Sequence, residues 1–211
     1  IDSSTNNLTI TRNGTSTQGT VNPFGSIAPY SIAVDGGSVY LNGTTDYLTS
    51  AANAVFAFGT GDFTIEGWFF TTASADQGLW DSRTSSTSTT GFACRLLTTT
   101  NTLRVIFNNA SLLTTTQAVT LNQWNHIAFV RASNVFTVYL NGSAMTGGSA
   151  SVTGSSTDTN MWVGKIQDTG FFYNGYISNF RVVKGTAVYT GTFTPPTAPL
   201  TAISGTSLLT C

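Results

Sequence analysis

Asp62-Phe-Thr-Ile-Glu-Gly-Trp-Phe-Phe70 is the stretch from which the fold can be read. Its side chains divide with a period of two. Phe63, Ile65, Gly67 and Phe69 fall on one face, and Thr64, Glu66, Trp68 and Phe70 on the other. That period belongs to a strand, not to a helix. The aromatic and β-branched residues favour the same choice. The pattern recurs in Trp124-Asn-His-Ile-Ala-Phe-Val-Arg131 and in Phe136-Thr-Val-Tyr-Leu-Asn-Gly142, where Phe136, Val138 and Leu140 form the inward set. Asn141-Gly142 closes that strand with a pair suited to the positive φ of a hairpin turn. Asn13-Gly14 and Asn42-Gly43 repeat this chemistry.

Outward from these phrases, short alternating runs predict further strands at Leu8–Thr11, Ser38–Leu41, Gly78–Ser82, Gly91–Leu97, Leu103–Asn108, Met161–Lys165 and Gly175–Val183. Val55–Phe58 reads as a turn or a single helical turn, and no stretch forms an amphipathic helix. Thr84–Thr90 and Thr146–Asn160 are rich in Ser, Thr and Gly and are expected to be exposed loops. Phe193-Thr-Pro-Pro-Thr-Ala-Pro199 is a stiff extended segment, a linker or an exit strand. The reading is an all-β chain folded as an antiparallel β-sandwich.

Composition narrows the function. The chain has 211 residues, of which only 8% are charged, with a formal net charge of -1. No basic surplus exists to displace counterions from a nucleic acid or to dock on an anionic membrane. No run of 18 apolar residues occurs, so membrane insertion by a helix is not expected. Cys94 and Cys211 lack the spacing of a disulfide framework. Thr, Ser, Asn and Gly must supply solubility, a habit shared with adhesive surface proteins.

No catalytic residue is assigned. Hydrolysis of a polysaccharide needs paired carboxylates, yet Glu66 is the single glutamate and has no carboxylate two positions away on its strand face. It reads as a solvated or hydrogen-bonded strand residue. His126 is the single histidine, without a Gly-x-Ser-x-Gly elbow or enough partners for zinc, and it is expected to pack or cap. No cofactor is required. A structural calcium ion, needing six to eight oxygens, would draw on Asp35, Asp46, Asp62 and Asn179, although the three aspartates also suit turns. For glycans the useful groups are exposed rings with amide, carboxylate or guanidinium neighbours. The candidates are Trp80 with Asp81 and Arg83, Trp162, and the run Phe171-Phe172-Tyr173-Asn174. Three consecutive aromatics cannot all face one core from a strand. Trp68 and Trp124 are expected in the core.

Four phrases carry a family resemblance: Val39-Tyr-Leu-Asn-Gly-Thr-Thr-Asp-Tyr-Leu48, Asp62–Phe70, Trp124–Gly142 and Gly175-Tyr-Ile-Ser-Asn-Phe-Arg-Val-Val-Lys184. In this order they resemble the laminin-G-like, concanavalin A-like jelly-roll superfamily. Gly185-Thr-Ala-Val-Tyr-Thr-Gly-Thr-Phe-Thr-Pro-Pro196 is similar to repeats in structural and tail proteins of marine and cyanobacterial phages. The resemblance implies two packed antiparallel sheets and a non-catalytic adhesion module at a virion surface or outside the cell. Its partners would be host cell-surface glycans or other virion subunits, with homo-oligomers within a larger assembly. The alternative is a purely architectural spacer, and an enzyme is disfavoured. One domain is expected over residues 1–196. Residues 197–211 would then be a linker plus a strand that opens a following repeat, unless that strand closes the same domain beside its own N-terminus.

Overall fold

The computed structural model describes residues 1–25, 36–72 and 75–210. Fifteen strands occur among them: β1 Ile10–Asn13, β2 Thr17–Gly19, β3 Ser38–Asn42, β4 Tyr47–Ser50, β5 Phe63–Thr71, β6 Gln77–Asp81, β7 Ala93–Leu96 and β8 Leu103–Phe107. Then come β9 Ala110–Thr114, β10 Trp124–Ala132, β11 Val135–Leu140, β12 Ser143–Ser151, β13 Trp162–Val163, β14 Asn174–Lys184 and β15 Thr206–Thr210. A 3₁₀ turn spans Ala54–Phe56, capped by the Asn53 side chain, which accepts from the Val55 N–H.

The strands form two antiparallel sheets. The seven-stranded sheet runs β1-β4-β13-β6-β7-β8-β9. The eight-stranded sheet runs β12-β11-β10-β5-β14-β3-β2, with β15 also on β14. The expected sandwich is therefore the fold. Between the sheets, Phe63, Ile65, Phe69, Phe129, Phe136 and Phe180 meet Leu48, Trp80, Phe92, Cys94, Val105 and Val163. Phe92 stacks on Phe107 at 4.3 Å and Trp80 meets Phe129 edge-on at 5.2 Å. Each ring buried in this way contributes about 2–3 kcal/mol. Arg131 seals one end of the core. Its guanidinium donates to the Gly59, Gly154 and Val152 carbonyls and to Asn134 Oδ1.

Three sequence expectations change. Thr146–Asn160 is not all loop: β12 extends to Ser151 and pairs with β11. Trp68 and Trp124 are half-buried on the outer face of the eight-stranded sheet rather than in the core. The proline segment is a strap across that outer face. Ala187, Tyr189 and Phe193 pack on Ala128, Val130 and Tyr139, and the Phe193 N–H donates to the Gly142 carbonyl at 2.9 Å. Beyond the strap, β15 pairs with Phe180–Val183 of β14. The N-terminal segment clasps this strand through Asp2, which accepts from the N–H groups of Leu209, Ser4 and Leu8. Residues 197–210 thus include a ladder of the same sheet. Cys94 is buried and in no disulfide among the described residues, while Cys211 lies outside them.

Candidate functional site

The site is built on the outer face of the seven-stranded sheet, and a bulge in β6 creates it. Gly78 lies opposite Arg95 and Trp80 lies opposite Cys94, with the register shifting between them. The extra residue, Leu79, turns two positions that would share a face to opposite faces. Trp80 enters the core with zero exposure. It is therefore not a surface ring, and the sequence expectation for it is corrected. Gly78 is left on the outer face without a side chain, and there the segment 164–173 lies down.

That segment is fixed at many points. Tyr173 N–H bonds the Gly164 carbonyl, Gly164 N–H bonds the Leu79 carbonyl, and Gly78 N–H bonds the Phe171 carbonyl. The Asn174 N–H donates to Gln77 Oε1 at 2.8 Å and the Gln167 N–H to Asp81 Oδ2 at 2.7 Å. Asp81 and Arg83 were expected to read hydroxyls on a ligand. They are instead 0% and 1% exposed. Arg83 clamps Asp81 through Nε and Nη2 and reaches Asp168 on the segment. Burial opposes the guanidinium charge, but the two aspartates outweigh it and raise the Arg83 pKa above its ordinary value. This pair is the floor that holds the segment, not the surface that meets a ligand. Tyr173 is likewise fully buried, its hydroxyl 2.9 Å from Thr71 Oγ1. It pins the segment from below, so the expectation of an exposed ring fails there too.

Phe171 and Phe172 remain half-exposed, as does Asn174. Phe172 joins Trp162 of β13 and Tyr47 of β4. Tyr47 and Trp162 stack at 5.1 Å and 6°, and Phe172 leans on Tyr47 at 6.0 Å. Lys165 Nζ lies 4.8 Å from the Tyr47 and Trp162 ring centres and 4.9 Å from that of Phe172. Burial among the rings lowers the Lys165 pKa. Phe171 turns the other way and lies under Arg95, 4.7 Å from its guanidinium carbon. Arg95 faces Arg104 directly across β7 and β8, and Asp76 lies 4.0 Å from Arg95. The result is a platform of half-exposed rings edged with cations. Trp162, Phe171 and Phe172 were legible beforehand. Tyr47, Lys165, Arg95 and Arg104 were not, because cross-strand register brings them in.

The calcium candidates do not converge. Asp46 is a turn former, accepting from the Thr15 N–H and the Thr45 hydroxyl. Asp62 accepts from the Ser133 N–H. Asn179 occupies a bulge in β14 with φ 52° and accepts from the Leu200 N–H at 2.8 Å. Asp35 lies outside the described residues. Among the described residues no three His, Cys, Asp or Glu side chains gather as a metal group would require.

Glu66 is on the opposite sheet and wholly buried. Its Oε1 accepts from Arg181 Nη2 at 2.6 Å, and its Oε2 accepts from the Tyr189 hydroxyl at 2.8 Å and lies 3.1 Å from His126 Nε2. His126 also packs against Trp68, Tyr189 and Phe193.

Residues 42–188 match a laminin G family model described as the concanavalin A-like lectin/glucanases superfamily. Among solved structures, a native heptameric SAP-like pentraxin from Limulus polyphemus aligns with TM-score 0.55 and 16% identity, over 76% of this chain and 80% of its own. Domain 4 of AbnA, a GH43 extracellular arabinanase from Geobacillus stearothermophilus in complex with arabinotriose, aligns with TM-score 0.51 and 13% identity, over 86% and 95%. The binding domain of botulinum neurotoxin DC, in complex with rat synaptotagmin II, aligns with TM-score 0.59 and 14% identity. This chain covers 87% of itself and 45% of the neurotoxin chain in that alignment, so it spans less than half of that structure. At such identities the likeness is one of fold. Comparison with curated proteins gives no match.

Proposed function

The chain belongs to the concanavalin A-like lectin/glucanase superfamily, and from that membership we propose that it is a non-catalytic binding module that stacks its Tyr47–Trp162–Phe172 platform on the rings of a surface glycan. The observation that carries this reading is the segment 164–173, tied down by buried groups while its two phenylalanines stay half-exposed. Rings held rigid before binding lose little entropy on contact, and aromatic faces suit the apolar faces of sugars. The fold relative seen with arabinotriose supports a carbohydrate ligand. The non-catalytic part rests on Glu66. The single glutamate is sealed under the strap with Arg181, His126 and Tyr189, out of reach of any polymer.

A glycan array probed with and without a calcium chelator tests the reading. Specific binding is expected, and Trp162→Ala should weaken it about tenfold, the scale of one well-placed ring contact. Binding untouched by Trp162→Ala and Phe172→Ala would reject the platform. Loss on chelation would restore a metal role that the described side chains do not support.

One feature favours a second reading, a module built for protein contacts. Trp124, Phe70, Tyr176 and Tyr40 lie directly opposite one another on β10, β5, β14 and β3. They form a row of half-buried rings on the outer face of the eight-stranded sheet. Aromatic rows of this kind suit subunit interfaces, and a fold relative was solved in complex with a protein, rat synaptotagmin II. Either role fits a fibre, tail or capsid appendage of a virion, the setting that the Gly185–Pro196 phrase resembles. A stable oligomer lost on Trp124→Ala, with no glycan bound, would decide for this second reading.

A further inference from the structure

Resting on the glycan-stacking reading, we infer that the platform selects sugar chains that carry carboxylate or sulfate groups, and that Arg95 and Arg104, with Lys165, are the residues that select them. The chain commits half of its cations to internal partners. It has eight lysines and arginines. Arg83, Arg131 and Arg181 are buried on internal partners, and Lys184 donates to the Ala54 carbonyl. Of the remaining four, Arg12 is on the edge strand β1, and the other three sit together on the platform face.

Their arrangement is costly without an anion. Arg95 and Arg104 lie directly opposite on adjacent strands, and like charges in that position repel. The Nε atoms of both are shielded from solvent and have no hydrogen-bond partner among the described residues. Asp76 offsets one charge. It pairs with Arg95, accepts from the Thr98 N–H, and has a carboxyl pKa held below the ordinary value, where burial is outweighed by Thr98 and then by Arg95 and Arg104. Arg104 forms no ion pair among the described residues. Side chains directly opposite in an antiparallel pair lie about 5 Å apart at Cβ, so two guanidinium forks can grip one tetrahedral or planar anion.

The rings connect this pair to the platform. Phe171 lies under Arg95 and its neighbour Phe172 lies beside Lys165. A sugar seated on these two rings has the arginine pair on one side and the lysine on the other. The whole chain has a net charge of -1 and gives no general attraction to polyanions, so preference for an anionic sugar would be local to this face.

Dextran, carboxymethyl dextran and dextran sulfate of one chain length are the probes, since they share a backbone and differ in the anionic group. Titration calorimetry on the whole chain should give affinities about tenfold or more above neutral dextran for at least one charged form, falling as salt rises. Whichever charged form is tighter identifies the group, uronate-like carboxylate or sulfate ester. Arg104 is half-exposed and forms no ion pair among the described residues, so Arg104→Gln should erase most of that preference while leaving neutral binding in place, with Tm held or slightly raised as the repulsion with Arg95 is relieved. Lys165→Gln should reduce it independently. Equal affinity for all three dextrans, none for any of them, or a preference intact in Arg104→Gln would overturn the inference. Poly-glutamate binding as tightly as the charged dextrans would do so as well. Neutral glycans held on the array through Trp162 would leave the stacking reading standing, whereas an empty array would remove both.

Discussion

Glu66 shows what one residue type can and cannot announce. As the single glutamate in a strand, it read as a solvated or hydrogen-bonded strand residue; the hydrogen bonds are there, but its depth was not legible. Three groups from distant positions meet it: His126, Arg181 and Tyr189. Burial pushes its pKa up, yet the His126 contact and then the Arg181 charge outweigh this and hold it below the ordinary value of 4.5. The sign follows. A carboxylate depressed on folding contributes stability that is present above about pH 4.5 and is lost as pH falls through the lowered value. Urea unfolding from pH 7 to pH 3 should therefore show a declining acid limb. Glu66→Gln should lose about 3 kcal/mol at pH 7, the cost of leaving Arg181 buried without its partner, and should flatten that limb. An unchanged limb in the variant would assign acid sensitivity elsewhere, with Asp2 and Asp158, also depressed, the next to test. Trp80 is the converse case. Its sequence neighbours Asp81 and Arg83 made it look like a reader of sugars, but alternation fails at a bulge, and no local pattern announces that the bulge is there.

At the scale of elements, strands were legible where apolar residues alternate and sit at the sheet centre. β5, β10, β11 and β14 were all found within a few residues of their ends. The strands missed were β2, β4, β9 and β12, most of them edge or near-edge strands. Ser143–Ser151 reads Ser-Ala-Met-Thr-Gly-Gly-Ser-Ala-Ser, with six of its nine residues exposed. Such a strand is held by its ladder with β11, not by its own hydrophobic face, so composition made it look like loop. The site follows the same rule. Two rings of the platform come from one local run, but the sheet register supplies the rest. Gly78 is the hinge of this construction. A Cβ there would lie 2.4 Å from Ile166 N, 2.6 Å from Lys165 C and 2.9 Å from Phe171 O, all backbone. Gly78→Ala should therefore lift the segment 164–173 at a cost of about 1–3 kcal/mol while the sandwich stays folded. The check is twofold. Far-UV circular dichroism should persist, and glycan affinity should fall as far as in Trp162→Ala. Full affinity in Gly78→Ala would mean that the rings act without their anchor.

Over the whole molecule, the two sheets were expected, and closure by the last strand stood only as the alternative to a following repeat. The domain boundary was placed at residue 196, because the prolines there suggest a linker or an exit strand. The structure carries the chain onward through contacts that short-range patterns cannot encode. Leu200 N–H bonds Asn179 in its bulge, the Thr201 carbonyl accepts from Arg181, and β15 then pairs with β14. All five β15 residues are buried, and Leu208 and Leu209 alone contribute about 2 kcal/mol each. Cutting the chain at 196 would also leave Asp2 without the Leu209 N–H and Arg181 without a carbonyl, at about 1–3 kcal/mol for each buried group. Together these losses approach the whole net stability of a domain, about 5–15 kcal/mol. Residues 1–196 alone should therefore fail to give a cooperative thermal transition or a near-ultraviolet circular dichroism signal, whereas residues 1–210 should give both. Adding residues 200–210 as a separate peptide should partly restore the signal, because the vacant edge of β14 and the Asp2 acceptor remain to receive it. A cooperatively folded 1–196 would instead mark the last strand as an accessory and return the domain boundary to the proline segment.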